Sequence, residues 1–514
     1  MKGLLPVSAP ATFKLRGTVN GTIRPEIYGQ FLSRRRWVAD EALHNPGHPD
    51  ADESGLRRSV VDAITELGAP VVRWPGGCTG TSYEWERGVG PSEQRARTVD
   101  WHFGYDVGNG FGTAEFVAYC RRIGAEPQIN LTTGTGSLRE ALAWVEYCNG
   151  TGDSVWANLR RSHGYDEPFD VRYWQIGNEE WGSWELGQVG PQENAVRCRE
   201  WAKAIKRLDP ELKVLAIGCF EPSQALDWNL ALLREAWDHI DYLTLHTYWP
   251  FDPEAEGGDY ERVLSGPYRT ESAIVAIQGL VDLVAREKPG TPKPELAFTE
   301  WNCADATRFE MSPKWRPTDT RYRTVDALAV GSFLNVMQRQ ADSVTLANFA
   351  QTINVVGALV VTDDELVRET VYWPLWMQRR YSGGISLAGD TICSAVAGES
   401  LERTAIELPA LDVSASTDRG GTTVWLSVVN RDRHQSVRLS VELGHPLATS
   451  VVRVHQLHTE DPLDRNSLAE PDRVAPRSDE VKLDDDRALV LPPSSYSIIE
   501  LTTTAPVVDS QLLA

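Results

Sequence analysis

In YWQIGNEEWGSWELG (residues 173–187), two glutamates stand side by side behind an apolar run and among tryptophans. Tyr173 to Ile176 read as the end of a buried strand, and Gly177 stops it. Asn178, Glu179 and Glu180 then fall at the strand's mouth. Carboxylates directly behind a short buried strand suggest a β/α unit with chemistry at the strand's C-terminal end.

The same texture recurs along the chain. Candidate strands are read at 22–31, 69–77, 125–133, 171–179, 213–219, 240–248, 295–302 and 343–351. Amphipathic segments separate them. GLRRSVVDAITELG ends on Gly68 and GTAEFVAYCRRIGAEP breaks at Gly124, both C-cap signals. SLREALAWVEYC opens with Ser137 and Glu140, a capping-box spacing. Eight strands alternating with helices predict an α/β fold, a closed (β/α)8 TIM barrel with its active site at the C-terminal ends of the strands.

Near residue 385 the pattern changes to short alternating runs between turn residues, which predicts a C-terminal antiparallel β-sandwich of jelly-roll type. TAIELPALDVSAST (404–417) is read as one of its runs, and 458–485, rich in Asp, Glu, Pro and Arg, as a long loop. ATFKLRG near the N-terminus alternates too. The expected organisation is an N-terminal strand at 1–20 joining the sandwich, a catalytic barrel at 21–384 and the sandwich at 385–514.

Composition excludes several classes. The 514 residues exceed what one core needs, and 41% hydrophobic with 24% charged residues is ordinary for a globular protein. A formal charge of −21 argues against a nucleic-acid partner and against docking on an anionic membrane. No run reaches the length of a membrane span, and the N-terminus lacks the apolar core of a secretory signal, so a cytoplasmic location is expected. Seven scattered cysteines form no CxxC pair, which suggests neither a disulfide framework nor a zinc site. The 18 tryptophans suit both cores and sugar-stacking platforms.

On this layout Glu179 closes strand four and Glu300, in FTEWN, closes strand seven. Two carboxylates across one pocket are what glycosidic cleavage needs, one holding a proton and one ionised. GNEEWG followed by TEWN resembles the family 51 glycoside hydrolases, the α-L-arabinofuranosidases. VVRWPGGC, YEWERGVGP, LHTYW, ANFAQTINVV and LPPSSYSIIEL resemble further motifs of that family, so the likeness spans nearly the whole chain. It implies a retaining glycosidase of carbohydrate metabolism with Glu179 as acid/base, Glu300 as nucleophile, and no metal or other cofactor. It implies sugar-binding or supporting roles for Arg73, Asn178, Tyr248 and Gln351, a homo-oligomer, and a non-catalytic Glu180. His246 is read either as part of that site or as a structural histidine.

One motif departs. Where the family carries a sugar-binding glutamate after strand one, in a G-H-F-x-E-H motif, this chain has GQFLSRRRW (29–37), with Ser33 for the Glu and Arg34 for the His. The arginine run is open to two readings, recognition of another sugar or a solvated basic loop. The expected function is exo-acting release of terminal arabinofuranose from oligosaccharides. A glycosidase for galactofuranosides, D-arabinofuranosides or β-glucans, and a non-catalytic sugar-binding protein, stand as alternatives.

Overall fold

The computed structural model describes residues 10–305, 321–400 and 402–509. Residues 1–9, on which part of the N-terminal reading rests, lie outside them.

Eight parallel strands close a barrel in sequence order. They are Gly29–Phe31, Val71–Trp74, Glu126–Leu131, Tyr173–Ile176, Lys213–Ile217, Tyr242–Phe251, Glu295–Asp305 and Val344–Phe349, here called strands one to eight. Strand one pairs with strand eight through Gly29 and Asn348, which closes the ring. Val71, Tyr173, Leu215, Tyr242, Ala297 and Leu346 form a small apolar cluster of their own inside it. Bulky side chains filling the lower barrel leave chemistry to the other end.

The helices form where the sequence signals place them. Helix Arg58–Leu67 ends at Gly68 with φ 74°, and helix Thr113–Ile123 at Gly124 with φ 72°, left-handed positions that favour glycine. Ser137 caps helix Leu138–Asn149: its hydroxyl accepts from the Glu140 N–H at 3.3 Å, and the Glu140 carboxylate accepts from the Ser137 N–H at 2.7 Å.

The second layer is a mostly antiparallel nine-stranded sheet that encloses one apolar core. Strand Ala11–Thr22 lies inside this sheet, antiparallel to Ile385–Ile392 and parallel to Val437–Glu442. Helix Thr324–Arg339 is sandwiched between barrel and sheet. Its Asn335 donates to the Asp412 and Ser427 carbonyls, and its Gln338 accepts from Ser414 at 2.8 Å.

Two local readings are corrected. The run 404–417 is two elements: Ala405–Pro409 pairs with Ala395–Glu399 as a separate hairpin, and only Leu411–Thr417 enters the large sheet. Arg477–Lys482 is a strand rather than loop, paired with Val451–His458 at the sheet's edge. An edge strand exposed along nearly its whole length needs no apolar face, so its RSDEVK sequence gives no alternating signal.

Candidate active site

Strand four ends in a sharp turn. Gly177 has φ 81° and Glu179 φ 52°, so a non-glycine residue holds the left-handed conformation at the barrel mouth. Such a residue costs on the order of 1–3 kcal/mol and persists where its surroundings fix it. They do. Glu179 Oε1 pairs with His246 Nδ1 at 2.6 Å, and Oε2 accepts from the Trp184 indole at 2.8 Å. His246, on strand six, meets Thr299 Oγ1 through its other nitrogen at 2.9 Å.

The neighbouring Glu180 turns the other way. It is 1% exposed, and its Oε1 accepts from the Asn178 N–H at 3.1 Å and from the Thr133 hydroxyl. It braces the turn that presents Asn178 and Glu179.

Glu300, on strand seven beside His246 in register, faces Glu179. Arg73 Nη1 donates to its Oε1 at 2.7 Å, and the Tyr248 hydroxyl to its Oε2 at 2.7 Å. Burial acts to raise its pKa, but His246, Arg73 and Tyr248 together outweigh burial and hold the carboxyl below the ordinary glutamate value. Burial and the adjacent Glu300 charge push the Tyr248 phenol well up, so it donates as a neutral hydroxyl. Arg73 is fully buried, stacks over Phe31 at 4.8 Å, and spans the site by donating to Asn178 Oδ1 at 2.7 Å. That fixes the Asn178 amide, whose Nδ2 donates to Glu185 Oε1 at 2.9 Å and keeps its second N–H for another acceptor. A carboxylate oxygen of Glu179 and one of Glu300 lie within 4.8 Å of each other.

Thus Arg73, Asn178, Glu179, Tyr248 and Glu300 belong to one network. Gln351, 7% exposed, lies just past strand eight; its main chain bonds Val356 and Ala358, while its side-chain Oε1 has no hydrogen-bond partner among the described residues. Thr299, Trp184 and Glu185 join the site without having been singled out from the sequence. Trp184 is 52% exposed, in contrast to the seven tryptophans that are among the largest fully buried side chains. Glu185 carried a signal in retrospect, an acid six residues beyond Glu179 in the same tryptophan-rich turn.

The arginine run is not a solvated loop. Arg34 and Arg35 are 4% and 8% exposed. Arg34 lies over the Tyr83 ring at 4.7 Å and donates to Asn109 Oδ1 at 2.9 Å, and Arg35 lies over Phe103 at 3.9 Å. Only Arg36 reaches the surface, paired with Glu41 at 2.9 Å. Ser33, in the place of the family glutamate, is buried 3.4 Å from the Thr79 hydroxyl.

An eight-fold barrel with paired carboxylates on strands four and seven is the architecture of a glycoside hydrolase. Comparison with known proteins narrows this. Residues 63–253 match the model of the alpha-L-arabinofuranosidase 1 domain, and 299–495 that of the alpha-L-arabinofuranosidase C-terminal domain. Alpha-L-arabinofuranosidase C of Emericella nidulans is 36% identical over 443 residues, covering 82% of this chain and 85% of that one. The intracellular exo-alpha-(1->5)-L-arabinofuranosidase of Streptomyces lividans is 32% identical over 506 residues, 95% of this chain and 74% of that one. The crystal structure of the Thermotoga maritima α-L-arabinofuranosidase in its arabinose complex superposes with a TM-score of 0.85 at 31% identity, over 96% of this chain and 100% of that chain. The chain belongs to family 51 of the glycoside hydrolases and is an arabinofuranosidase-type glycosidase.

Proposed function

We propose that the chain releases terminal α-L-arabinofuranosyl groups from short oligosaccharides in the cytoplasm by retaining double displacement. The observation that supports this most is the asymmetric pair of carboxylates less than 4.8 Å apart at their facing oxygens. Retaining enzymes hold their carboxyls about 5–5.5 Å apart, whereas inverting ones leave about 6.5–9.5 Å for a water.

The roles follow from the surroundings. Glu300, gripped by Arg73 and Tyr248, is the ionised partner and attacks the anomeric carbon. Glu179, with no arginine or lysine bonded to it among the described residues, protonates the leaving oxygen. It then takes a proton from the water that attacks the glycosyl–Glu300 ester, and the sugar leaves with its configuration retained. Asn178 offers its spare N–H to the hydroxyl beside the reacting carbon, where a hydrogen bond can tighten as charge develops. Gln351 offers its unpaired amide oxygen to a hydroxyl at the far end of the ring. A homo-oligomer of this chain is part of the proposal, on the family resemblance alone.

The test is hydrolysis of p-nitrophenyl glycosides and an α-1,5-linked arabinobiose. Turnover of the α-L-arabinofuranosides is expected, with kcat lowered at least about 10⁴-fold by Glu300→Ala. Glu179→Ala should slow the disaccharide by about 10²–10⁴-fold and the p-nitrophenyl substrate less, because nitrophenolate leaves without a proton. Turnover only of a galactofuranoside or another sugar would replace arabinofuranose as the substrate, a reading favoured by Ser33.

A further inference from the structure

We propose that Cys78, His102 and Glu185 form a binding site for a zinc-class divalent cation at the edge of the barrel mouth, and that filling it inhibits hydrolysis. The inhibitory half rests on Glu179 acting as the acid; the site itself does not.

One donor atom from each of the three residues lies within 4.8 Å of the other two. His102 Nδ1 is 3.8 Å from Glu185 Oε2. Both atoms are buried and neither has a hydrogen-bond partner among the described residues. Glu185 is 5% exposed, and its other oxygen is fixed by Asn178. A buried carboxylate oxygen and an imidazole nitrogen left facing each other are costly unless something bridges them. The Cys78 thiol donates a hydrogen bond to the same carboxylate, so a bound cation would replace this weak donor. Sulfur, imidazole and carboxylate together suit zinc or cobalt rather than magnesium or calcium, and three protein ligands leave a fourth position open. Zinc bonds of about 2.0–2.3 Å would require the three donors to close by roughly an ångström. His102 sits in the turn between the short strands Thr98–Asp100 and Tyr105–Val107, its main-chain N–H donating to Asp100 Oδ1 at 3.0 Å.

A second cluster, Glu179, His246 and Glu300, is equally tight. It is a poor cation site. Both nitrogens of His246 are engaged, Glu300 is bonded by Arg73 and Tyr248, and the Arg73 guanidinium already supplies the positive charge. Around Cys78 the balance is opposite: Glu185, Glu179 and Glu300 all act on the sulfur and oppose its ionisation, as burial does most of all. A cation there faces these acids, with Arg35 beside His102 as the opposing charge. Burial and the nearby Glu179 push the Glu185 pKa up to about 8, so on binding the protons of both the Cys78 thiol and the Glu185 carboxyl pass to solvent, and thiolate and carboxylate become the ligands.

The consequence for catalysis is electrostatic. A divalent charge within reach of Glu179 favours its ionised form, and an ionised Glu179 cannot protonate the leaving oxygen. The three ligands come from separate segments, after strand two, in the 98–107 hairpin and after strand four, so no linear CxxC spacing announces them.

The test titrates the metal-free full-length protein with Co²⁺ while recording absorbance, then displaces it with Zn²⁺. A near-ultraviolet sulfur-to-cobalt band saturating at one equivalent is expected. It should vanish in Cys78→Ser and need at least about tenfold more Co²⁺ in His102→Ala, with circular dichroism confirming that both variants fold. Visible cobalt bands without the sulfur band would put the metal on Glu179, His246 and Glu300 and overturn the site, as would no band or one that survives Cys78→Ser. The second arm follows arabinobiose hydrolysis, each protein against its own metal-free rate. Zn²⁺ inhibition reversed by chelator is expected in the wild type, weakened at least about tenfold in His102→Ala; a filled site without inhibition overturns the inhibitory half. A protein that hydrolyses no arabinofuranoside still gives the cobalt spectrum, so failure of the site and failure of the substrate assignment are told apart.

Discussion

On one side of the barrel mouth, Arg73, Asn178, His246, Tyr248 and the two carboxylates bond directly to one another. On the other, after strand one, Ser33, Arg34 and Arg35 bond to Thr79, Asn109 and the rings of Tyr83 and Phe103. The first face holds residues of the motifs by which the chain resembles its family; on the second, Ser33 and Arg34 stand where that resemblance implies a glutamate and a histidine. A network whose members each fix the next tolerates no replacement. A wall that only shapes the space beside the sugar can be rebuilt, provided its buried charges find partners. In the proposed function the floor carries the reaction and the wall shapes the space beside the sugar.

The sharpest way to break that division is Gly77→Ala. A Cβ there would sit 2.4 Å from Glu300 Oε1, a contact that must displace the carboxylate. A shift of about 1 Å costs roughly 10²-fold, so kcat should drop by about that factor in a protein that still melts cooperatively. An unaltered kcat would mean that the floor has slack.

Arg73→Lys comes next. Lysine cannot donate to Glu300 and Asn178 together in the guanidinium's planar fork. Weaker cationic support lets the Glu300 pKa rise. Because Glu300 must be ionised to attack, the acid limb of kcat/KM should move to higher pH, by about one unit, with a loss of about 10–100-fold at neutral pH. A pH profile that keeps its position would deny Arg73 its electrostatic part.

Arg34→Ala tests the wall from the opposite direction. It removes the cation over Tyr83 and leaves the Asn109 oxygen unpaired by Arg34. Thermal or urea unfolding should show a loss of about 1–3 kcal/mol, with the pH profile in place. Altered preference among p-nitrophenyl glycosides in this variant would sharpen the case for selectivity. The smallest effect is expected from Trp184→Phe, which deletes one donor to Glu179. One such bond is worth about 1 kcal/mol, so arabinobiose hydrolysis should slow several-fold.

The barrel was legible because its signal is repeated. Each strand is a short apolar run between amphipathic helices, and all eight lie on the segments read as strands, although in 22–31 only Gly29–Phe31 is barrel strand and Pro25–Tyr28 forms a 3-10 helix. Glu179 was legible for the same reason, since a strand's C-terminal end is a known address in this fold; Glu300 was read as closing strand seven, which instead runs on to Asp305. The environment of Cys78 was not. It depends on His102 and Glu185, which arrive from loops with no period to read. The burial of the Arg34–Arg35 pair was hidden as well, because its aromatic and amide partners lie tens of residues away. The edge strand Arg477–Lys482 escaped because it buries almost nothing.

Strand Ala11–Thr22 leaves the sandwich's last partners far downstream: Asn20 bonds Ser386 across 366 residues. Ribosomes add about 5–20 residues per second, so this segment emerges roughly 20–70 s before the strand it pairs with. Strand one of the barrel must likewise await strand eight. During synthesis the chain therefore carries this strand unpaired until Ile385–Ile392 is made, and its two sheets become available for closure only late in translation. The native topology makes this long-unpaired strand a segment that a chaperone has reason to shield.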